Sequence, residues 1–206
     1  MPELRLLDYG EHALLVQAEP AAVARLTVAL ASLPDVEVVP AASSVLVRPS
    51  APEKLAETRT AAAAILATPL PPAPSITDAA EIRIPVVYDG PDLAAVADLT
   101  GLGVAGVIAA HTATPWRVAF AGFAPGFAYL ADGDARLAVP RRAEPRTSVP
   151  AGSVGLADGF SGIYPRASPG GWQLIGRTDT VLWDAGRTSP ALLTPGAWVR
   201  FEAARP

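Results

Sequence analysis

Three residue types that many mechanisms require are missing or rare in this sequence. It has no cysteine, one methionine (Met1) and one lysine (Lys54). The lack of cysteine excludes disulfides, thiolate nucleophiles and cysteine-bound metals. A Walker P-loop needs a Gly-Lys pair, which is absent. A biotin carrier needs a modified lysine beside methionines, which is also absent. The basic charge of the chain is therefore almost entirely arginine.

Long apolar runs are missing too, because charged residues, proline and glycine interrupt every candidate before it reaches about 18 residues. No transmembrane helix is predicted, and the opening residues MPELRLLDYGEH lack the layout of a signal peptide. We therefore predict a cytoplasmic protein with no membrane partner. A net charge of −4 gives no sign of nucleic-acid binding. Residues 140–206 carry eight basic and five acidic side chains, so anion-binding chemistry is expected there.

Glycine and proline mark a domain boundary. Of the 17 glycines, only Gly10 and Gly90 precede residue 101, and a proline-rich connector occupies residues 69–80. Prolines at this density favour an extended, semi-rigid spacer. We predict a first domain over residues 1–80, which includes this linker, and a second domain over residues 81–206.

The hydrophobic patterns of the two parts differ. In the first, β-type segments within Leu4–Ala18 and Val36–Val47 flank a segment with helical spacing, Pro20–Leu33, which predicts a small α+β sandwich. In the second, a strand at Glu81–Tyr88 and two short helices precede many short apolar stretches, one of them at Thr180–Trp183. Short strands between Gly/Pro turns at this spacing predict a closed or nearly closed β-barrel.

A motif of the dinucleotide-binding type, Gly101-Leu-Gly-Val-Ala-Gly106, is rejected. The residues before it have a helical pattern, and no acidic residue follows about 20 positions later. Two helices joined at a glycine turn explain it better. The histidines, His12 and His111, have no metal-ligand spacing, so no metal site is predicted. His111 ends a predicted helix and is either a dipole-stabilised helix terminus or a proton carrier near the motifs described next.

Three glycine-rich stretches contain the candidate site. Gly122–Leu130 places two phenylalanines around a Pro-Gly turn, as core anchors or as a rigid aromatic wall. Pro140–Gly155 holds three arginines among prolines, suited either to a carboxylate or phosphate or to surface salt bridges. Its last residues, Ala151–Gly155, could form a backbone anion nest. Gly162–Thr178 contains a tight Ser-Pro-Gly-Gly turn beside a tryptophan and a glutamine, either a plugged hairpin or a pocket rim.

Together the three stretches resemble the signature of one family. Its pattern runs G-F-x-P-G-F-x-Y-L, then P-R-x-x-x-P-R-x-x-V-P-x-G-S-V-G, then G-I-Y-P-x-x-S-P-G-G-W-x-x-I-G-R-T, and this chain carries all three in order. The family contains the B-type subunit of 5-oxoprolinase, the KipI kinase inhibitor, allophanate hydrolase subunit 1 and part of the carboxyltransferase domain of urea carboxylase.

The resemblance implies an N-terminal ferredoxin-like α+β domain followed by a cyclophilin-like β-barrel. It also implies one component of an ATP-dependent cyclic amide hydrolase, inactive alone, whose partners are the C-type and A-type subunits of 5-oxoprolinase. The complex would use ATP with Mg²⁺ to open the lactam of a small carboxylate, 5-oxo-L-proline, to L-glutamate. His111 and Tyr129 are the catalytic candidates. The substrate-binding candidates are Phe123, Pro125, Gly126, Phe127, Arg141, Arg142, Arg146, Gly152, Ser153, Tyr164, Ser168, Gly170, Gly171, Trp172 and Gln173.

Two alternatives remain open at this point. One is a KipI-like binding protein, whose exposed aromatic residues would dock on a sensor histidine kinase without any catalysis. The other is an enzyme component that acts on allophanate or on urea-derived carboxylates. A ligand site in this chain requires that the arginine-bearing loop and the Phe-Pro-Gly-Phe turn meet at one mouth of the barrel and face a shared cavity.

Overall fold

The computed structural model describes residues 4–72 and 81–205 and divides the chain into two compact units, Met1–Thr77 and Asp78–Pro206. Most of the predicted linker, residues 73–80, and with it the predicted boundary at residue 80, lie outside the described residues. Residues 69–72 form neither helix nor strand.

The first unit consists of a four-stranded antiparallel sheet and two helices. Its elements are β1 (Arg5–Tyr9), β2 (Ala13–Gln17), α1 (Pro20–Leu30), β3 (Val36–Pro40), β4 (Ser44–Pro49) and α2 (Leu55–Leu66). The strand order is β1-β2-β4-β3. Alternate residues of β2 and β4 point to one face, where the apolar stripe of α1 covers them. Fully buried side chains from both layers form the core: Leu14, Val16, Leu26, Leu30, Val45 and Val47.

The second unit contains two helices, a large sheet and a small one. Its elements are β5 (Ile82–Val86), α3 (Leu93–Thr100), α4 (Gly103–Ala113), β6 (Trp116–Ala121), β7 (Ala128–Ala131), β8 (Arg146–Val149), β9 (Ser153–Ala157), β10 (Phe160–Ile163), β11 (Ser168–Gly170), β12 (Gln173–Arg177) and β13 (Trp198–Ala203). Seven strands form a sheet in the order β12-β9-β10-β7-β6-β13-β5, and β8 pairs with β11 separately.

A single bridge brings the two edges of the seven-stranded sheet together. Val87, next to β5, and Arg177, at the end of β12, exchange two backbone hydrogen bonds of 2.9 Å. Because β5 and β12 are the edge strands, this bridge nearly closes the sheet into a barrel, which confirms the predicted barrel-like architecture. Apolar residues from strands around the sheet share one core: Ile84, Val118, Leu130, Val154, Ile163, Ile175 and Phe201.

Helices α3 and α4 pack against the barrel core. Gly101 ends α3 in the left-handed conformation (φ +69°), as a C-terminal glycine commonly does, and α4 begins two residues later. The glycine motif is therefore a helix–helix junction, as predicted. No single helix within residues 4–72 and 81–205 is long and apolar enough to cross a membrane. Only α3 and α4 taken together have that length and composition, and they are bent by 90°.

Two local predictions are wrong. Thr180–Trp183 is not a strand of the barrel, because Trp183 makes only one bridge, to Ala191, within a local loop. The predicted tight turn at residues 168–171 is instead the extended strand β11, which pairs with β8. The extended backbone brings Gly170 over Tyr164, where a Cβ would lie 2.2 Å from the tyrosine hydroxyl oxygen.

We expect Gly152→Ala to destabilise the second unit strongly. Gly152 has φ +79°, and an added Cβ would lie 2.2 Å from the carbonyl oxygen of Thr178, so the mutation combines left-handed strain with a backbone clash. Gly196→Ala is the matched control, since Gly196 has φ +88° with nothing within 4 Å of the added atom. Denaturant unfolding should show that Gly152→Ala costs about 1–3 kcal/mol more than the control. Equal losses would contradict the close approach at Thr178.

Candidate functional site

An aromatic cluster joins the Phe-Pro-Gly-Phe turn to the strands behind it. The ring of Phe127 lies edge-on to four others, with centroid distances of 5.1 Å to Tyr129, 5.3 Å to Phe123, 5.4 Å to Tyr164 and 5.5 Å to Trp172. Edge-to-face contacts at these distances are favourable for aromatic pairs. Val149, from the end of the arginine-bearing loop, belongs to the same buried cluster. The turn and the loop therefore do meet, but packed rings fill the space between them.

The aromatic residues that were predicted to contact a ligand differ in their exposure to solvent. Phe127, Tyr164 and Trp172 are at most 4% exposed, so they support the site from within. Phe123 is 57% exposed and has φ +68°, a conformation that is uncommon for a non-glycine residue. Pro125 is also exposed.

Gly126 (φ +84°) allows the turn to approach a neighbouring loop. A Cβ on this residue would lie 2.8 Å from the Cβ of Trp183. The exposed tip of the turn, and not its buried rings, is the part that an incoming molecule can reach.

Two of the three predicted arginines converge on a buried carboxylate. Arg142 Nη1 and Arg146 Nη2 each donate to Asp92 Oδ1 at 2.8 Å, and the backbone N–H of Leu174 donates to Asp92 Oδ2 at 2.7 Å. Asp92 is 4% exposed. A second nitrogen of Arg146 reaches the carbonyl oxygen of Trp172 at 3.5 Å. We call Asp92, Arg142 and Arg146 the arginine–aspartate triad.

The electrostatics of the triad keep Asp92 ionised. Burial opposes the charged form and raises the pKa of Asp92. Hydrogen bonds from Arg146 and the Leu174 N–H, together with the two positive charges, outweigh that effect and hold the pKa below its ordinary value. A buried carboxylate paired in this way would be costly to leave without its partners. The triad therefore carries one negative and two positive charges near neutral pH.

The backbone around the triad is held from both sides. The Arg142 N–H donates to the carbonyl oxygen of Gly171 at 2.8 Å. The buried side chain of Gln173 donates from Nε2 to the carbonyl oxygen of Pro140 at 3.1 Å. Gly171 and Gln173, predicted to bind substrate, thus fix the arginine-bearing loop against β12.

Other predicted binding residues lie elsewhere or are already occupied. Arg141 is exposed and pairs with Asp158 at 3.2 Å, away from Asp92. The predicted backbone anion nest at residues 151–155 is wrong, because the Gly152 N–H donates to the Tyr164 carbonyl oxygen at 2.7 Å and the Ser153 N–H to the Pro150 carbonyl oxygen at 3.3 Å. These donors are not free for a ligand.

The remaining predicted contacts are local. The hydroxyl of Ser168 donates to the carbonyl oxygen of Arg166 at 3.0 Å, and Gly170 lies against the ring of Tyr164. In the β8–β11 pair, Gly170 is the strand partner of Arg146, whereas Ser168 is the partner of Val149. Ligand binding by Ser168 and Gly170 stays a prediction.

His111 is a core residue. Its side chain is fully buried, its ring stacks on Phe201 at 4.2 Å, its Nδ1 lies 2.7 Å from the Tyr88 hydroxyl oxygen, and its Nε2 lies 2.8 Å from Ser161 Oγ. A neutral imidazole can donate at one nitrogen and accept at the other, so both hydroxyl groups satisfy it. Burial lowers the pKa of His111 to about 3, which keeps the ring neutral near pH 7.

The two predicted catalytic residues, His111 and Tyr129, do not share a site. Leu130 belongs to the barrel core that surrounds His111, whereas its neighbour Tyr129 packs in the aromatic cluster. Successive residues of a strand point to opposite faces, so β7 separates the two side chains. Tyr129 is half-buried and stacks on Phe120 at 4.2 Å. The prediction that His111 carries a proton near the glycine-rich motifs is therefore wrong, because its ring is enclosed in the barrel core and both of its nitrogens are already bonded.

Sequence reasoning misses the partners that define both clusters. The sequence pattern places Asp92 only at the start of a helix. In the structure, Asp92 pairs with Arg142 and Arg146, which lie 50 and 54 positions later. No motif singles out Tyr88 or Ser161, although both bind His111. The only sequence signal for Asp92 is its position directly after Gly90-Pro91 at the start of a helix. No local pattern indicates its partners.

The sequence pattern described as "Carboxyltransferase domain, subdomain C and D" matches residues 4–193. The chain belongs to this family. The match covers most of both units and confirms the resemblance that the three glycine-rich stretches indicated.

Within this family, the chain is most informatively compared with individual proteins of known name. A protein of Escherichia coli O157:H7, named as the B-type subunit of 5-oxoprolinase, is 53% identical over 123 residues, which are 58% of this chain and 56% of that protein. The chain thus spans about half the length of the curated relatives that it matches.

Solved structures support the fold. The crystal structure of TTHA0988 matches with a TM-score of 0.71 and 36% identity over 100% of this chain and 41% of that one. Kluyveromyces lactis urea carboxylase matches with a TM-score of 0.69 at 18% identity, over 99% of this chain and 22% of that one, which shows a shared fold alone.

Because His111 is buried and neutral, we expect the stability of the chain to depend on pH. Because the pKa of His111 is about 3 in the folded chain and about 6.5 when unfolded, the unfolded chain binds the extra proton between these values. Stability should therefore fall as pH decreases below about 6.5, by about 2 kcal/mol at pH 5 from this group. Urea unfolding of the chain and of His111→Asn at pH 7.5 and 5 measures the difference.

A direct measurement uses the fact that the chain has only two histidines. In His12→Gln, which removes the exposed imidazole, the remaining Cε1–H NMR signal belongs to His111. We expect this signal to stay in place from pH 8 to pH 5. Movement over that range would contradict the buried neutral ring.

Proposed function

We propose that this chain is the B-type subunit of an ATP-dependent 5-oxoprolinase, which opens 5-oxo-L-proline to L-glutamate together with A-type and C-type subunits. The observation that carries the proposal is the 53% identity to a relative named as the B-type subunit of 5-oxoprolinase. The relatives' name implies further subunits, and the chain by itself is expected to be inactive. A cytoplasmic location remains part of this proposal.

The same proposal includes a finer description of the two units. The first has the order β-β-α-β-β-α with sheet order β1-β2-β4-β3. If β1 takes the place of a last strand, this is the ferredoxin-like arrangement of β-α-β-β-α-β with that strand moved to the front of the chain. The nearly closed sheet of the second unit supports the cyclophilin-like assignment.

The chemistry of the substrate fits the charged residues of the chain. A lactam resists hydrolysis because its nitrogen lone pair delocalises into the carbonyl group. ATP would activate the amide oxygen by phosphorylation, which makes the carbon electrophilic. The substrate's own carboxylate suits the planar forks of Arg142 and Arg146, which already lie side by side. Tyr129 remains the catalytic candidate in this chain, since its half-buried ring packs against the aromatic cluster that the arginine-bearing loop joins through Val149.

ATP and Mg²⁺ are assigned to the complex. The sequence has no Gly-Lys pair for a P-loop. Within the part of the chain that the structure describes, no group of three or more His, Cys, Asp or Glu side chains could hold a metal ion.

A binding protein of the KipI type is the second candidate, and exposed aromatic residues favour it. Phe123 is 57% exposed and Trp183 is 43% exposed, and both border the turn at Gly126. Exposed apolar residues grouped in this way often mark a protein interface. A sensor histidine kinase, or another component of the enzyme, could bind there. Allophanate or a urea-derived carboxylate remains the alternative substrate.

Reconstitution with A-type and C-type subunits tests the proposed function. We expect ATP hydrolysis that depends on 5-oxoproline, and not on allophanate or urea. Replacing Arg142 and Arg146 together by alanine should raise the KM for 5-oxoproline at least about tenfold, because each charge-assisted hydrogen bond contributes about 1.5–3 kcal/mol.

Arg141→Ala is the matched control, since Arg141 pairs with Asp158 at the surface. It should leave the KM nearly unchanged. If the complex hydrolyses ATP only with allophanate or urea, the substrate is that compound and not 5-oxoproline. Tight binding of the isolated chain to a sensor kinase, without any complex with the other enzyme components, would favour the KipI-like function.

A further inference from the structure

We infer that Arg142 and Arg146, held by the buried carboxylate of Asp92, form a binding site for one carboxylate group of a small ligand, with Asp92 as its positioning residue. The inference rests on the proposed function only for the identity of that ligand. The site is complete within this chain. It takes one anionic group, and Arg141 is not part of it.

The exposure of the triad sets the side from which an anion arrives. The side chain of Asp92 is 5% exposed, whereas those of Arg146 and Arg142 are 22% and 36% exposed. The carboxylate is therefore more deeply buried than either arginine side chain, and the open side of the triad belongs to the arginines. An approaching ligand meets positive groups before it meets the aspartate.

The triad carries a net charge of +1, from two arginines and one aspartate. Arg142 Nη1 and Arg146 Nη2 bind the same oxygen of Asp92, so two like charges lie within two hydrogen-bond lengths of each other. Like charges at this separation repel, and one buried carboxylate neutralises only one of them. A second carboxylate on the open side would restore neutrality. A guanidinium has five N–H donors, so each arginine can bind Asp92 and still donate to a ligand.

One donor of the triad has no acceptor. Among the described residues, Arg142 Nε is buried without a hydrogen-bond partner. Leaving a buried donor unpaired costs about 1–3 kcal/mol. Because this nitrogen has no access to solvent, a ligand oxygen reaches it only if the Arg142 side chain moves. We therefore base the anion site on the charge count and on the convergence of the two arginines.

Asp92 fixes the geometry as well as the charge. Its backbone N–H donates to the Leu174 carbonyl oxygen at 2.9 Å, and its Oδ2 accepts from the Leu174 N–H at 2.7 Å, so the residue is anchored to β12 twice. The arginines are thereby held in a single arrangement before any ligand binds. Such pre-organisation lowers the entropic cost of binding.

NMR titration of the ¹⁵N-labelled full chain, at constant ionic strength, tests the site. The probes are 5-oxo-L-proline, acetate, inorganic phosphate and 2-pyrrolidinone, which has the same lactam ring without the carboxylate. We expect 5-oxo-L-proline and acetate to shift the Arg142 and Arg146 Nε–H signals saturably, and 2-pyrrolidinone to leave them in place. Equal shifts with 2-pyrrolidinone, tighter binding of phosphate than of acetate, or no saturable shift would overturn the inference.

Variants separate positioning from simple electrostatics. Asp92→Asn keeps the size of the side chain but changes the charge of the triad from +1 to +2. If Asp92 positions the arginines, acetate should bind about tenfold more weakly to this variant, and Asp92→Glu should recover part of the loss. If the site is only a concentration of positive charge, acetate should bind more tightly, and the positioning role is wrong.

If Asp92→Asn fails to fold, acetate binding to a second variant, Arg146→Lys, still tests the site. Arg146→Lys preserves the charge but removes the planar fork, and it should also weaken acetate binding about tenfold. Arg141→Lys is its control and should bind like the unchanged chain. Unaltered binding by Arg146→Lys would exclude the site. Acetate binding needs neither ATP nor partner proteins, so it can hold even if the chain proves not to belong to a 5-oxoprolinase.

Discussion

The hydrogen bonds to Asp92 connect parts of the second unit that are far apart in the sequence. The aspartate starts α3, its backbone and side chain are both bound to Leu174 in β12, and its Oδ1 receives Arg142 and Arg146 from the loop and strand that follow β7. Burial makes an unpaired carboxylate costly at this position. These bonds hold the arginine-bearing loop against α3 and β12, and the inferred ligand site depends on them.

The barrel sheet divides the second unit into two environments. On one face, His111 and its hydroxyl partners are sealed among Trp116, Phe201 and the aliphatic core. On the other, the aromatic cluster packs beneath an exposed turn. The imidazole is therefore a satisfied polar element of the core. Tyr129, the remaining catalytic candidate, lies on the face that carries the aromatic cluster.

Membership of the carboxyltransferase C and D family and the proposed role within an enzyme complex are compatible with this layout. TTHA0988, whose chain is more than twice as long, contains the same fold as one part. The inferred carboxylate site formed by Arg142 and Arg146 is compatible with the proposed role beside partner subunits.

The amino-acid sequence by itself determined the family, the near-closed barrel of short strands and the helix junction at Gly101, because these depend on local patterns: glycine turns, alternating apolar residues and motif spacing. Only the tertiary structure decided which charged groups meet. Arg142 and Arg141 are adjacent in the sequence, yet one binds buried Asp92 and the other the exposed Asp158. It likewise placed His111 and Tyr129 on opposite faces of β7, since the side of a sheet on which a residue lies is set by strand register across the whole barrel.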